Sequence, residues 1–146
     1  MWRAIRADVV AEANSSCAVC GHRQQSWMVC DEDWRYAVLT PTEGAGPRTG
    51  RAILVGLRLL CPPCDQVVHI GHTETKYGKA TARTALAHGA KVNGVSVADM
   101  RLLAEVMFEA WASVSSIGIW SVELDPALRA RFPALAIVEQ PPVEAS

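Results

Sequence analysis

Two Cys-x-x-Cys pairs, Cys17/Cys20 and Cys61/Cys64, flank residues 21–60 and constrain this chain more than any other feature. The first ten residues carry Arg3, Arg6 and Asp8 where an export signal needs an unbroken apolar run, so the expected setting is the reducing cytoplasm. There, paired cysteines read as metal ligands rather than disulfides. Thiolate is the softest common side-chain donor, and four of them in a tetrahedron suit zinc and leave no position open for substrate. The expectation is a structural zinc ion held by Cys17, Cys20, Cys61 and Cys64. A redox Cys-x-x-Cys fits less well, because there are two separate pairs and no βαβ pattern surrounds either.

With 146 residues, half of them apolar, the chain can bury one core, and residues 1–136 read as a single domain. Its expected parts are an N-terminal helix over 1–14, a zinc and ββα region over 15–74 and a helical region over 75–136. Residues 137–146, with Pro141 and Pro142, read as a flexible tail. The longest apolar stretches, 52–60 and 106–114, are broken by Arg58 and Glu109 and are too short for a bilayer, so no membrane association is expected. A net charge of −1 offers no global attraction to nucleic acid. One stretch, 75–98, lacks acids and carries Lys76, Lys79, Arg83 and Lys91 beside His88, which is either a phosphate-binding face or a solvated helix face.

Periodicity places the elements. Trp2, Ile5 and Val9 recur at helical spacing. Residues 26–30 and 35–39 are rich in aromatic and β-branched side chains and read as short strands, while the prolines and glycines of 40–50 predict a loop. Residues 52–60 alternate as a strand in which Arg58 is the odd polar member, either ion-paired or reaching a phosphate. Pro62 and Pro63 then precede a helix over 65–70, and another is predicted over 80–91, stopped by Asn93 and Gly94. Ser96 and Asp99 form a capping box for a helix over 97–114, whose apolar surface is too wide for a single stripe; it is either central or covered by a protein partner. A strand over 119–124 and a short helix from Asp125-Pro126 to Arg131 follow.

The order knuckle, strand, loop, strand, knuckle, helix resembles the HNH, or ββα-metal, endonucleases. The resemblance is carried by CDEDWRY at 30–36 and CPPCDQVVHIG at 61–71, which are similar to a bacterial and phage branch with Cys-His-Glu-x-Trp-x-Tyr and CPxCHxVKHIG motifs. GLRLLC at 56–61, VNGVS at 92–96, Trp111 and Trp120 extend it over most of the chain. It implies an α+β fold: a zinc-stabilised treble-clef or HNH-like ββα finger with a helical C-terminal half. It also implies DNA as partner and a catalytic divalent ion, since water attacks a phosphodiester only with a base to take its proton and a cation to neutralise developing charge.

Asp31 and Asp65 stand where that pattern has histidines. Carboxylates still ligate Mg2+ or Mn2+. An aspartate, with an ordinary pKa of about 3.9, is nevertheless a poor general base at neutral pH, and the factor at stake is ~10²–10⁴. His69 matches the pattern one helical turn after Asp65, where it either shares the ion, or packs against the knuckle or hydrogen-bonds a backbone carbonyl. Glu32 either orients a ligand or is one of three surface acids, Asp31-Glu32-Asp33. The catalytic candidates are thus Asp31, Glu32, Asp65 and His69, and the DNA-binding candidates are Arg58, Lys76, Lys79, Arg83 and Lys91. The expected function is a degenerate HNH-like module that binds DNA or a protein partner without efficient catalysis, with an active metal-dependent endonuclease as the alternative. His22 and His72 are not needed by a zinc already satisfied with four thiolates, Cys30 reads as a small apolar residue, and the five tryptophans read as core rather than base-stacking platforms.

Overall fold

The computed structural model describes residues 2–24, 26–39 and 48–137. Among these the chain is mixed α+β, with a three-stranded sheet and six helices. Helix α1 (Trp2–Glu12) is followed by β1 (Val29–Leu39), β2 (Thr49–Leu60), α2 (Pro62–Val68), α3 (Ile70–Tyr77), α4 (Lys79–Asn93), α5 (Val97–Ser115), β3 (Ile119–Leu124) and α6 (Pro126–Arg131). Sheet order is β1-β2-β3. The described residues divide into two compact units, one drawn from 33–39, 48–56 and 117–137, the other from 2–24, 26–32 and 57–116.

The unit that holds the cysteines is built on helices. Ile5 and Val9 of α1, Met28 just before β1, Leu59 and Leu60 at the end of β2, Ala82, Ala85 and Ala90 of α4 and Met100 of α5 are among its buried apolar side chains. Helix α4 packs against α2, α3 and α5. It ends as predicted, with Gly94 at φ 66° taking the left-handed conformation and donating its N–H to the Ala90 and Lys91 carbonyls. The Ser96–Asp99 capping box is formed, each residue's side chain accepting from the other's backbone N–H.

Three elements differ from the sequence reading. The two short strands are one continuous strand, β1, because nothing in 31–34 turns the chain; residues 26–28 lie before it. Thr49 and Gly50, expected in the loop, begin β2, and 40–47 lie outside the described residues, as do 138–146 of the expected tail. The helix expected over 65–70 is instead two: Pro62 and Pro63 occupy the first turn of α2, where a missing N–H costs nothing, and the helix breaks at His69 (φ −104°, ψ 43°) before α3. The buried Thr73 hydroxyl donates to the Gln66 carbonyl (2.9 Å), tying α3 back to α2 across that break.

Helix α5 is not central. Met100 is its one buried residue, while Leu102, Leu103, Val106, Met107 and Trp111 are each more than half exposed. Trp2 and Trp27 are exposed as well, so the expectation that all five tryptophans are core fails at three of them.

In the other unit, β2 and β3 run parallel with Thr49 opposite Ile119 and Leu54 opposite Leu124. Gly50 and Trp120 are paired across this ladder, and the Trp120 ring occupies the space a Cβ at position 50 would need. Arg51 and Glu123 form an ion pair (2.6 Å), and Asp125 caps α6 by accepting from the Ala127 N–H (2.9 Å).

Candidate functional site

The first knuckle is a tight turn. The Gly21 N–H donates to the Cys17 carbonyl (2.9 Å), with Gly21 at φ 70° as only glycine adopts without cost, and the Cys17 N–H donates to the His22 carbonyl (2.9 Å). The turn hangs on the end of β2, where the Ala18 N–H donates to the Leu59 carbonyl (2.8 Å). Two residues later Cys61 begins the second knuckle, which closes in the first turn of α2. All four Cys sulfurs lie within 4.8 Å of one another. The Cys20–Cys61 sulfur separation of 3.6 Å is close to the ~3.8 Å edge of a tetrahedron with zinc–sulfur bonds of about 2.3 Å. The donor set and spacing are those of a site positioned to bind a metal such as zinc.

The thiols are unequal. Burial opposes ionisation of Cys17, but N–H groups of Cys20, Cys61 and Val19 overcome it and bring the thiol down to about 6. Burial pushes Cys61 up, and burial with the neighbouring sulfurs pushes Cys64 well up. One ready thiolate beside buried reluctant thiols is what a dication exploits, since its charge displaces the remaining protons. Cys30 is half-buried and stands apart from the cluster, and His22 is exposed.

One neighbour was not foreseen. His88 Nε2 lies 3.2 Å from the Cys64 sulfur. His88 stood in the sequence only as a member of a basic run, and no local signal links residues 24 positions apart on different helices.

A second cluster gathers three of the catalytic candidates. Asp31, Asp65 and His69 offer ligand atoms within 4.8 Å of one another. Asp31 is not a surface acid: it points inward from β1, 4 % exposed, while Glu32 alternates outward and lies apart from the cluster. Arg58 donates to Asp31 Oδ2 through Nε (2.9 Å) and Nη2 (2.8 Å), and His69 Nε2 meets Oδ1 at 2.9 Å. His69, at the break between α2 and α3, thus meets Asp31 of β1. Asp65 Oδ1 is 3.8 Å from the same nitrogen, and burial raises the Asp65 carboxyl above the ordinary carboxylate range. His72 is exposed, its ring edge-on to Tyr77.

No family model, curated protein or solved structure matches this chain. The cluster therefore has to be read from its own chemistry.

With Asp31 and Asp65 ionised and Arg58 cationic, it carries one net negative charge, a half-exposed imidazole and carboxylate oxygens, the donors a hard or borderline dication takes. Arg58 competes with such an ion for Asp31. The remaining basic candidates do not form one patch. Lys79 and Arg83 line a groove of about 290 Å3 with Arg101, but Glu74 and Glu105 share it. Lys91 lies instead in a groove beside Cys20, Cys61, His22 and His88. Lys76 stands over the Tyr77 ring, 5.1 Å from its centroid. Among the described residues no helix is long and apolar enough to cross a membrane.

Proposed function

We propose that this chain is a zinc-stabilised, HNH-like treble-clef module that engages DNA through a divalent ion held by Asp31, Asp65 and His69, and that it cleaves DNA inefficiently. The observation that carries the reading is the convergence of those three side chains within 4.8 Å, from positions that the HNH-like motifs single out. A bound Mg2+ or Mn2+ supplies charge neutralisation for a phosphate oxygen. The chain's own residues supply the rest: Asp31 and Asp65 provide anionic oxygens, His69 a nitrogen, and Arg58 fixes Asp31.

Inefficient cleavage follows from what Asp31 is doing. Both of its oxygens are engaged, one by Arg58 and one by His69, and the side chain is buried. A carboxylate so placed has lone pairs for an ion only in competition with Arg58 and His69, and is a poor acceptor for a proton from water. His69 directs its Nε2 into the cluster as well. With Nε2 held by Asp31, Nδ1 is the His69 nitrogen that remains to ligate the ion, and as a ligand it cannot also serve as base, while phosphate binding through the ion does not need one.

The test combines plasmid nicking in Mg2+, Mn2+, Co2+ or Ni2+ with DNA binding measured with and without the ion, for wild type, Asp31→Ala and Asp65→Ala. Expected are cation-dependent binding lost in Asp65→Ala and slow or absent nicking. Rapid nicking abolished by Asp31→Ala would favour the active-endonuclease alternative, and cation-independent or absent DNA binding would remove DNA from the reading. A protein partner is the second reading, and the exposed apolar face of α5 favours it: five large apolar side chains there are more than half exposed.

A further inference from the structure

The approach of His88 to Cys64 is set by helix packing. Helix α4 faces its neighbours with small residues, Ala82, Ala85, Gly89 and Ala90, all buried. At Gly89 the backbone comes so close that a Cβ would stand 3.0 Å from both Val67 Cγ1 of α2 and Met100 Cε of α5. The residue beside it, His88, is thereby carried to the sulfur of Cys64 in the first turn of α2, with Nε2 at 3.2 Å. N–H to sulfur separations of this order are hydrogen bonds when the sulfur is a good acceptor.

The chemistry fixes the direction of that bond once a metal is held. A cysteine that ligates a dication does so as thiolate, which has no proton to give. The proton between the two atoms then belongs to the imidazole. Four thiolates around a dication also leave an excess of two negative charges, and a donor aimed at one sulfur draws part of that excess away.

We propose that His88 is a positioning residue of the metal centre, donating its Nε2–H to the Cys64 thiolate and so joining α4 to the ion. This rests on the four-cysteine metal reading and on nothing assigned to the Asp31 cluster. His88 ligates nothing itself. It tightens retention of the metal by stabilising one ligand in its charged form and by holding that ligand's orientation, as hydrogen-bond partners of metal ligands generally do.

The experiment uses the full zinc-loaded chain as wild type, His88→Ala, His88→Phe and His88→Gln. Zinc affinity is read by competition with a chromophoric chelator, and the sulfur environment by the thiolate-to-cobalt charge-transfer band of Co2+-substituted protein. Loss of the donor is expected to weaken zinc about 10–100-fold in both His88→Ala and His88→Phe, to shift the cobalt band, and to be partly repaired in His88→Gln, whose amide keeps an N–H. A merely packing role would be repaired by Phe and not by Gln. Wild-type affinity and band position in His88→Phe would overturn the proposal. Nitrogen NMR of His88 in zinc-loaded wild type decides the matter even where variants do not fold: Nε2 protonated supports it, and Nδ1–H with a bare Nε2 overturns it. A wild-type chain that binds no zinc removes the four-cysteine reading and this inference together, whereas tight zinc binding indifferent to position 88 removes this inference alone.

Discussion

Replacing Asp31 by Asn tests the buried pair from which the second cluster is built. Asp31 is 4 % exposed, with Arg58 Nη2 at 2.8 Å and His69 Nε2 at 2.9 Å on its two oxygens. The amide keeps the shape, removes the charge and points an N–H at one of two donors. Breaking a buried ion pair from one side costs about 3–5 kcal/mol when the orphan stays dry. Here the orphans are partly wet, the Arg58 side chain 32 % and that of His69 46 % exposed, so the expected loss is about 2–3 kcal/mol. With a urea m-value of about 2 kcal/mol/M, that lowers the unfolding midpoint by about 1 M. Arg58→Met should cost a similar amount, and the double variant little more than either, giving a coupling of about 2 kcal/mol in a double-mutant cycle on zinc-loaded protein. A coupling below about 0.5 kcal/mol, or a midpoint unmoved by Asp31→Asn, would refute the claim that this pair organises the cluster.

Placing at position 31 the histidine of the HNH-like pattern is a sharper version of the same test: Asp31→His sets an imidazole against the Arg58 guanidinium, so it should destabilise at least as much as Asp31→Asn. It should raise nicking only when Arg58 is replaced too; a stable, more active single variant would contradict this. Metal analysis should find about one zinc per chain, and Cys61→Ser should lose both the zinc and cooperative unfolding of its unit, since metal binding is folding free energy in such sites; a folded, zinc-free wild type would speak against it. In fluorescence anisotropy with a DNA duplex, the charge reversals Lys79→Glu and Arg83→Glu should each reduce the salt slope by about 1, while Lys91→Glu, in a different groove, should leave it nearly unchanged. Equal effects would mean that α4 does not present these charges as two separate surfaces. Gly50→Ala should cost about 1–3 kcal/mol in thermal unfolding, because the new methyl must displace the Trp120 ring from a closely paired position; an unchanged melting temperature would show that the ring is free to move.

What the sequence by itself determined is whatever neighbours along the chain dictate. The capping box at Ser96 and Asp99, the stop at Gly94, the strand over 119–124, the α6 start at Asp125-Pro126 and the two cysteine pairs positioned to bind a metal were all legible, because each is a spacing or a dihedral preference that a few consecutive residues set. The gathering of Asp31, Asp65 and His69 was legible only through the resemblance of two motifs to a known pattern. Tertiary structure alone decided that Asp31 is buried and bound to Arg58, 27 positions away, and that His88 reaches Cys64 across two helices. It also decided that α5 lies largely uncovered, which periodicity cannot reveal: a wide apolar face reads the same whether neighbours cover it or water does. Local patterns report how a segment coils and which side is greasy. Which sides meet, and which polar groups are thereby forced to pair, depends on contacts between segments that share no local signal, and here those contacts built the sites.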